Sequence, residues 1–308
     1  MKLNLHAQVA GRYKLIKHKV REDGTLYNTE VVADFPNLIT DSGLDLLAAG
    51  SINNVMAKCW VGSGNSAPSV TDTGLEAEVA STTTVSSDSL SNNSGPPDYY
   101  SYGIKVFRFS TGAAAGNISE VGVGSTGNIL FSRALVLDSG GNPTSITVLS
   151  DEVLDVVYEL RVYKLYDDVP WGPINIDGVD YSGIIRPCDV DATRGIHSLY
   201  LGGGGATLIA YNGSIGTITN PPSGSATPRL NGVSAPYVPG TFYRDITFSA
   251  GLTQLNVAGG ITALKLGMDF NSNTSDVEHQ ISVSPALPKD GTKVMSITFR
   301  VHWGRYEP

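Results

Sequence analysis

Apolar and polar positions alternate in short runs along most of the chain, and Gly, Pro, Asn and Asp separate the runs, the pattern of an all-β protein. Tyr13-Lys14-Leu15-Ile16-Lys17-His18-Lys19-Val20 predicts a strand that ends at Asp23-Gly24, a dipeptide suited to hairpin turns. Residues 29–35 predict its partner, closed by Pro36, and residues 57–62 predict a core strand. Further strands are expected at 102–110, 118–124, 128–136 and 145–149. The longest pattern is 154–165. There Leu154, Val156, Tyr158, Leu160 and Val162 alternate with Asp155, Val157, Glu159, Arg161 and Tyr163, which buries one face of an antiparallel strand. The second half repeats the texture at 183–186, 196–201, 206–211, 241–249, 261–270, 280–284 and 293–303.

Two short helices are predicted in the first half. Thr40 or Asp41 can accept the free N–H groups of a first turn, Leu44, Leu47 and Ala48 share one face, and Gly50 can end the helix. A second helix is expected over 71–80, capped by Thr71 or Asp72, with Leu75 and Val79 turned inward. Residues 81–97, serine-rich and ending in Gly95-Pro96-Pro97, predict a long surface loop. Asp167-Asp168-Val169-Pro170-Trp171-Gly172-Pro173 predicts a domain boundary. The expected architecture is all-β: two antiparallel β-sandwich domains of jelly-roll type, 1–168 with the two short helices and 169–308 without. Asp151, Arg161 and Val162 recur as Asp290, Arg300 and Val301 at one offset, as two related domains would show.

Composition adds a surface type. Charged residues are 16%, below the roughly 25% of ordinary soluble domains, and Gly, Ser, Thr and Asn take their place. Such a surface has few long side chains to immobilise and few charges to desolvate, so it suits burial against other subunits; a loop-rich β protein would share the composition. The net charge is −8, and the basic residues between Lys14 and Arg21 alternate with apolar ones, so neither nucleic acid nor an anionic membrane is an expected partner. No run approaches the ~18 apolar residues that span a bilayer, and the first residues carry no apolar signal core; the chain is expected to be made in a cytoplasm and to stay soluble or assemble there. Cys59 and Cys188 form no CxxC spacing and predict two separate thiols, joined only if the fold brings them together.

Candidate chemistry is sparse. His6, His18, His197, His279 and His302 fall in no zinc-site spacing. Asp269 to Glu278 offers oxygens at alternate positions, as a calcium loop does. Thr274 stands where the sharp-turn glycine belongs and Gln280 where the closing carboxylate belongs, so a polar hairpin loop is expected. Gly62-Ser63-Gly64 lacks the lysine of a phosphate-binding loop, the glycines at 202–205 lack GxGxxG spacing, and no GxSxG occurs. The acid pairs Asp189/Asp191, Asp151/Asp155 and Glu76/Glu78 are candidates for glycan cleavage, but no β-helix repeat accompanies them. No catalytic residue, metal ligand or cofactor is assigned. Tyr99, Tyr100, Tyr102, Tyr237 and Tyr243 are candidate surface-binding residues, whose rings can stack on sugars or fill subunit contacts.

The run from Phe35-Pro36-Asn37-Leu38-Ile39-Thr40 through Asp45, then Trp60-Val61-Gly62-Ser63-Gly64 and Val70-Thr71-Asp72-Thr73-Gly74-Leu75, resembles the opening of tail-region proteins of tailed bacteriophages. Ile118-Ser119-Glu120-Val121-Gly122-Val123-Gly124, Leu130-Phe131-Ser132-Arg133-Ala134 and the run from Leu149 to Arg161 look like the same group, as does the ending from Leu287-Pro288-Lys289-Asp290 to Arg300. The resemblance implies a virion structural protein of the tail tip, baseplate or fibre base, assembled in the bacterial cytoplasm as a homo-oligomer, trimeric or hexameric, that links tail to fibres. Its partners would be copies of itself and other tail proteins. The alternative is a receptor-binding fibre module for a host surface glycan or protein. It carries over no catalytic residue.

Overall fold

The computed structural model describes residues 2–49, 52–93, 100–164, 168–188, 206–269 and 275–307. The chain is all-β with antiparallel sheets, as expected, and falls into two compact units. The first comprises Gln8–Leu90, Ser101–Val162 and Gly304–Pro308; the second comprises Met1–Ala7, Ser91–Tyr100 and Tyr163–Trp303.

The first unit is built from β1 (Lys2–Val20, from Gln8 onward), β2 (Leu26–Pro36), β3 (Leu38–Ile39), α1 (Asp41–Ala49), α2 (Ile52–Val55), β4 (Lys58–Gly62), β5 (Glu78–Thr82), β6 (Val85–Asn93), β7 (Tyr100–Phe109), β8 (Gly116–Ile118), β9 (Glu120–Gly124), β10 (Leu130–Leu135), β11 (Ile146–Val148) and β12 (Glu152–Lys164). One sheet runs β2-β1-β12-β7-β6, a second runs β3-β10-β9-β4-β5, and β11 pairs with β8. The predicted hairpin forms: Tyr13 lies opposite Phe35 and Val20 opposite Leu26, and the Asp23 carboxylate accepts the Thr25 amide across the turn at 2.9 Å. The alternation in β12 is also real. Leu154, Val156, Tyr158 and Leu160 are fully buried beside Tyr13, Leu15 and Phe107, and the Phe131 ring on β10 meets Tyr158 edge-on at 6.4 Å. Each such side chain contributes about 1.5–3 kcal/mol on leaving water.

Helix α1 starts as the pattern predicted. The Thr40 hydroxyl accepts the Gly43 amide at 2.9 Å and donates to the Leu130 carbonyl at 2.7 Å, while Leu44, Leu47 and Ala48 are buried. Two expectations fail nearby. Residues 71–80 form turns and then β5, not a helix, because the carboxylates of Asp72 and Glu76 are spent on loop amides and on Arg133 rather than on a helical first turn. Residues 81–93 are not one long loop but the end of β5 and all of β6, joined by the two residues 83–84. β6 ends its sheet with residues 85–89 exposed, so polar side chains satisfy a strand there and leave no apolar period to read. The rest of that expected loop, 94–97, lies outside the described residues.

The second unit holds β13 (Val169–Ile176), β14 (Val179–Cys188), β15 (Ala206–Tyr211), β16 (Leu230–Asn231), β17 (Val233–Ser234), β18 (Tyr243–Ala250), β19 (Ile261–Asp269), β20 (Ser275–Leu287) and β21 (Met295–Arg305), with the first residues of β1. Its sheets run β13-β14-β20-β19-β15-β16 and β17-β18-β21-β1. Ile297, Phe299, Val301 and Trp303 of β21 and Ile246, Phe248 and Ala250 of β18 form one buried face, with Phe248 and Phe299 edge-on at 5.8 Å. The stretch expected as a boundary contains β13, which pairs with β14 through a turn at Asp177-Gly178, where φ is +52° and +84°. The strand predicted at 196–201, the glycines at 202–205, Asp189, Asp191, His197 and the middle of the loop after Asp269 lie outside the described residues.

Candidate functional site

Four short segments, 60–64, 70–75, 118–124 and 130–134, meet at one buried ion network in the first unit. Glu120 is fully buried and its two carboxylate oxygens accept the amides of Gly64, Glu76 and Ala77 at 2.8–3.1 Å, together with Arg133 Nε at 2.9 Å. Arg133, 2% exposed, also donates to Asp72 at 2.7 Å and to the Ser66 carbonyl and hydroxyl. The Glu76 carboxylate takes the amides of Asn65 and Ser66 at 2.7 Å, and those donors hold it below the usual glutamate range. Gly62 and Gly64 are required by proximity: a Cβ at Gly62 would stand 2.6 Å from a Glu120 oxygen, and one at Gly64 would meet the same atom. All of these bonds run to partners within the chain, so the network clamps the 63–76 loop onto β9 and β10.

A second polar row crosses four adjacent strands. The Thr29 hydroxyl on β2 hydrogen-bonds His18 Nδ1 on β1 at 3.0 Å, His18 Nε2 bonds Asp155 on β12 at 3.0 Å, and Arg108 on β7 forks onto both Asp155 oxygens at 2.8 and 2.6 Å. The Asp155 carboxylate accepts, so Nε2 is the His18 nitrogen that carries a proton toward it, whereas the Thr29 hydroxyl can serve Nδ1 in either sense. Thr, His and Asp in this order are the elements of an activated nucleophile. Here the Arg108 fork engages both carboxylate oxygens, and the row ties strands together. Asp155 was expected on an open polar face; it is 4% exposed.

The third cluster lies on the β18-β21-β1 face of the second unit. Asp245 receives Arg300 through two bonds, at 2.7 and 2.9 Å, and Lys2 at 3.0 Å, and those donors hold its carboxyl down at about 2. The Arg300 guanidinium sits 3.6 Å over the Tyr243 ring, Tyr243 lies 5.4 Å from His302, and His302 stacks on His6 at 5.0 Å. Burial, then His6 and Arg300, push the His302 imidazole below the ordinary histidine value. Spacing within the sequence could not show this pair, because its members come from opposite ends of the chain.

Of the five candidate tyrosines, Tyr99 lies outside the described residues. Tyr100 packs on Tyr163 at 5.3 Å, and Tyr102 is half-buried. Tyr237 packs on Trp303 at 5.4 Å and Tyr243 on His302. Trp303 and His302 are consecutive on β21 and point to opposite faces, so the two tyrosines do not form one platform. A cleft of about 500 Å³ opens between the β13–β14 hairpin and the segment entering β21, walled by Ile176, Val179, Tyr181, Leu287 and Val294 with Lys293. Lys289 also lines it, but its amine is committed to the Gly251 and Asp290 carbonyls and to Asn256.

Cys59 and Cys188 are both buried free thiols, and burial raises the Cys59 pKa well above its ordinary value. Among the described residues no three or more His, Cys, Asp or Glu side chains gather as a metal set, and no helix is long and apolar enough to cross a membrane. No protein family model, curated protein or solved structure matches the chain.

Proposed function

We propose that the chain is a structural protein of a tailed-bacteriophage particle, a tail-tip, baseplate or fibre-base component that assembles as a homo-oligomer and links tail to fibres, with each unit a β-sandwich. The observation that carries the reading is the convergence at Glu120 and Arg133. Glu120, Arg133, Asp72, Gly62 and Gly64 all come from segments quoted for the resemblance, and they lock a loop onto a sheet, which is what a scaffold motif does. The low charge and the exposed apolar side chains Val31, Val233, Val238 and Val294, each at least 56% exposed, favour burial against neighbours.

Cryo-electron microscopy of purified particles, with mass spectrometry of their proteins, tests this. The expected result is the chain in a ring at the tail tip or fibre base. Its absence from the particles, or a lone copy in them, overturns the proposal. Binding of the isolated protein to host surface polysaccharide would instead favour a receptor-binding module.

A further inference from the structure

We propose that His6 and His302 form a two-histidine site for a late first-row divalent metal ion, on the outer face of the second unit and independent of any role in assembly. The two rings lie side by side on neighbouring strands, β1 and β21, with centroids 5.0 Å apart and planes 9° apart. His6 is exposed and His302 half-buried, so the pair is open to solvent. Among the described residues neither imidazole makes a hydrogen bond, although Arg300, Lys2 and Asp245 beside them are bonded to one another. One ring nitrogen from each histidine is therefore available to a ligand without breaking a hydrogen bond, at the cost of the ring stacking between them.

The separation suits chelation once the rings turn: stacked with planes 9° apart, their in-plane lone pairs run nearly parallel, and rotation about the Cβ–Cγ bonds is needed to bring both onto one ion. A metal–nitrogen bond is about 2.0–2.1 Å. Two imidazoles sharing one ion at angles between square and tetrahedral then hold their centroids about 4.5–5.2 Å apart, a range that includes the distance found. Only side-chain torsions need adjust, because sheet pairing already fixes the two backbones. His6 also borders, with Asn4 and His279, a cavity of about 20 Å³, room for about one water. Imidazole selects copper, nickel or zinc over magnesium or calcium. Water would complete the coordination shell, and the net positive charge of Lys2, Arg300 and Asp245 together limits the affinity.

Isothermal titration of the untagged full chain with Ni²⁺ and Zn²⁺ tests the site, and electron paramagnetic resonance with Cu²⁺ counts the nitrogen ligands. The expected result is one ion per chain with Kd below about 100 µM, two nitrogens on copper, and binding at least tenfold weaker in both His6→Gln and His302→Gln. His6 is exposed, so His6→Gln leaves the sheet intact, which circular dichroism checks. Wild-type binding weaker than that limit, or binding that survives in either variant, overturns the proposal.

Discussion

Arg133 shows how far one side chain can commit a region. It is the cation that compensates the buried carboxylate of Glu120. Replacing it with methionine keeps volume but leaves Glu120 charged and without its ion pair in the interior, so Arg133→Met is expected to cost about 3–5 kcal/mol. Denaturant unfolding followed by tryptophan fluorescence checks this, since Trp60 lies on β4 of the same sheet. Asp245 gives a pH-dependent counterpart. Its carboxyl is held at about 2, below the unfolded value of 3.8, so its contribution is fully present above about pH 4 and is lost as pH falls toward 2. The side chain is 25% exposed, so screening trims the contribution to about 1–2 kcal/mol. Asp245→Asn should flatten that part of the stability-versus-pH curve between pH 4 and 2, measured by thermal melts across the range.

At the scale of elements, legibility tracked burial. β1 and β12 were readable because each has an apolar face that must be covered, β2 through the Asp23-Gly24 turn that pairs it with β1 although only its Ala33 and Phe35 are buried, and α1 because Thr40 and the Leu44–Leu47 stripe agree on one helix. The stretch 71–80 offered the same kinds of residue, yet Asp72 is drawn to Arg133, a contact between positions far apart in sequence. A helix cap and a loop anchor use the same carboxylate, and local spacing cannot tell them apart. β6 hid for the opposite reason, having no buried face in its described part. β13 was overlooked behind its prolines, although Asp177-Gly178 is a hairpin signal that could have revealed it. Gly178→Ala tests that turn: no atom lies within 4 Å of the added Cβ, so the φ of +84° alone should cost about 1–2 kcal/mol. The thermal midpoint of the variant measures it.

For the whole molecule, the two thiols offer a separate readout of each unit. Cys59 belongs to the first and Cys188 to the second, and both are at most 2% exposed. Neither should react with a thiol reagent under native conditions, and pulsed labelling through a denaturant series should expose each with its own unit. Coincident labelling curves would mean one cooperative transition; separated curves would mean two. Rapid labelling of either thiol in the native protein would contradict the burial.

The all-β class, the first hairpin, helix α1 and the apolar face of β12 follow from the order of residues, because each depends on a periodicity of neighbours and on turn chemistry. Which distant residues meet does not. Glu120 with Arg133, His18 with Asp155, and His6 with His302 are brought together by strand pairing between segments far apart in the chain, and only tertiary packing sets those pairings. Local pattern records which face of a strand must be buried; it holds no record of what the opposite face will stand beside.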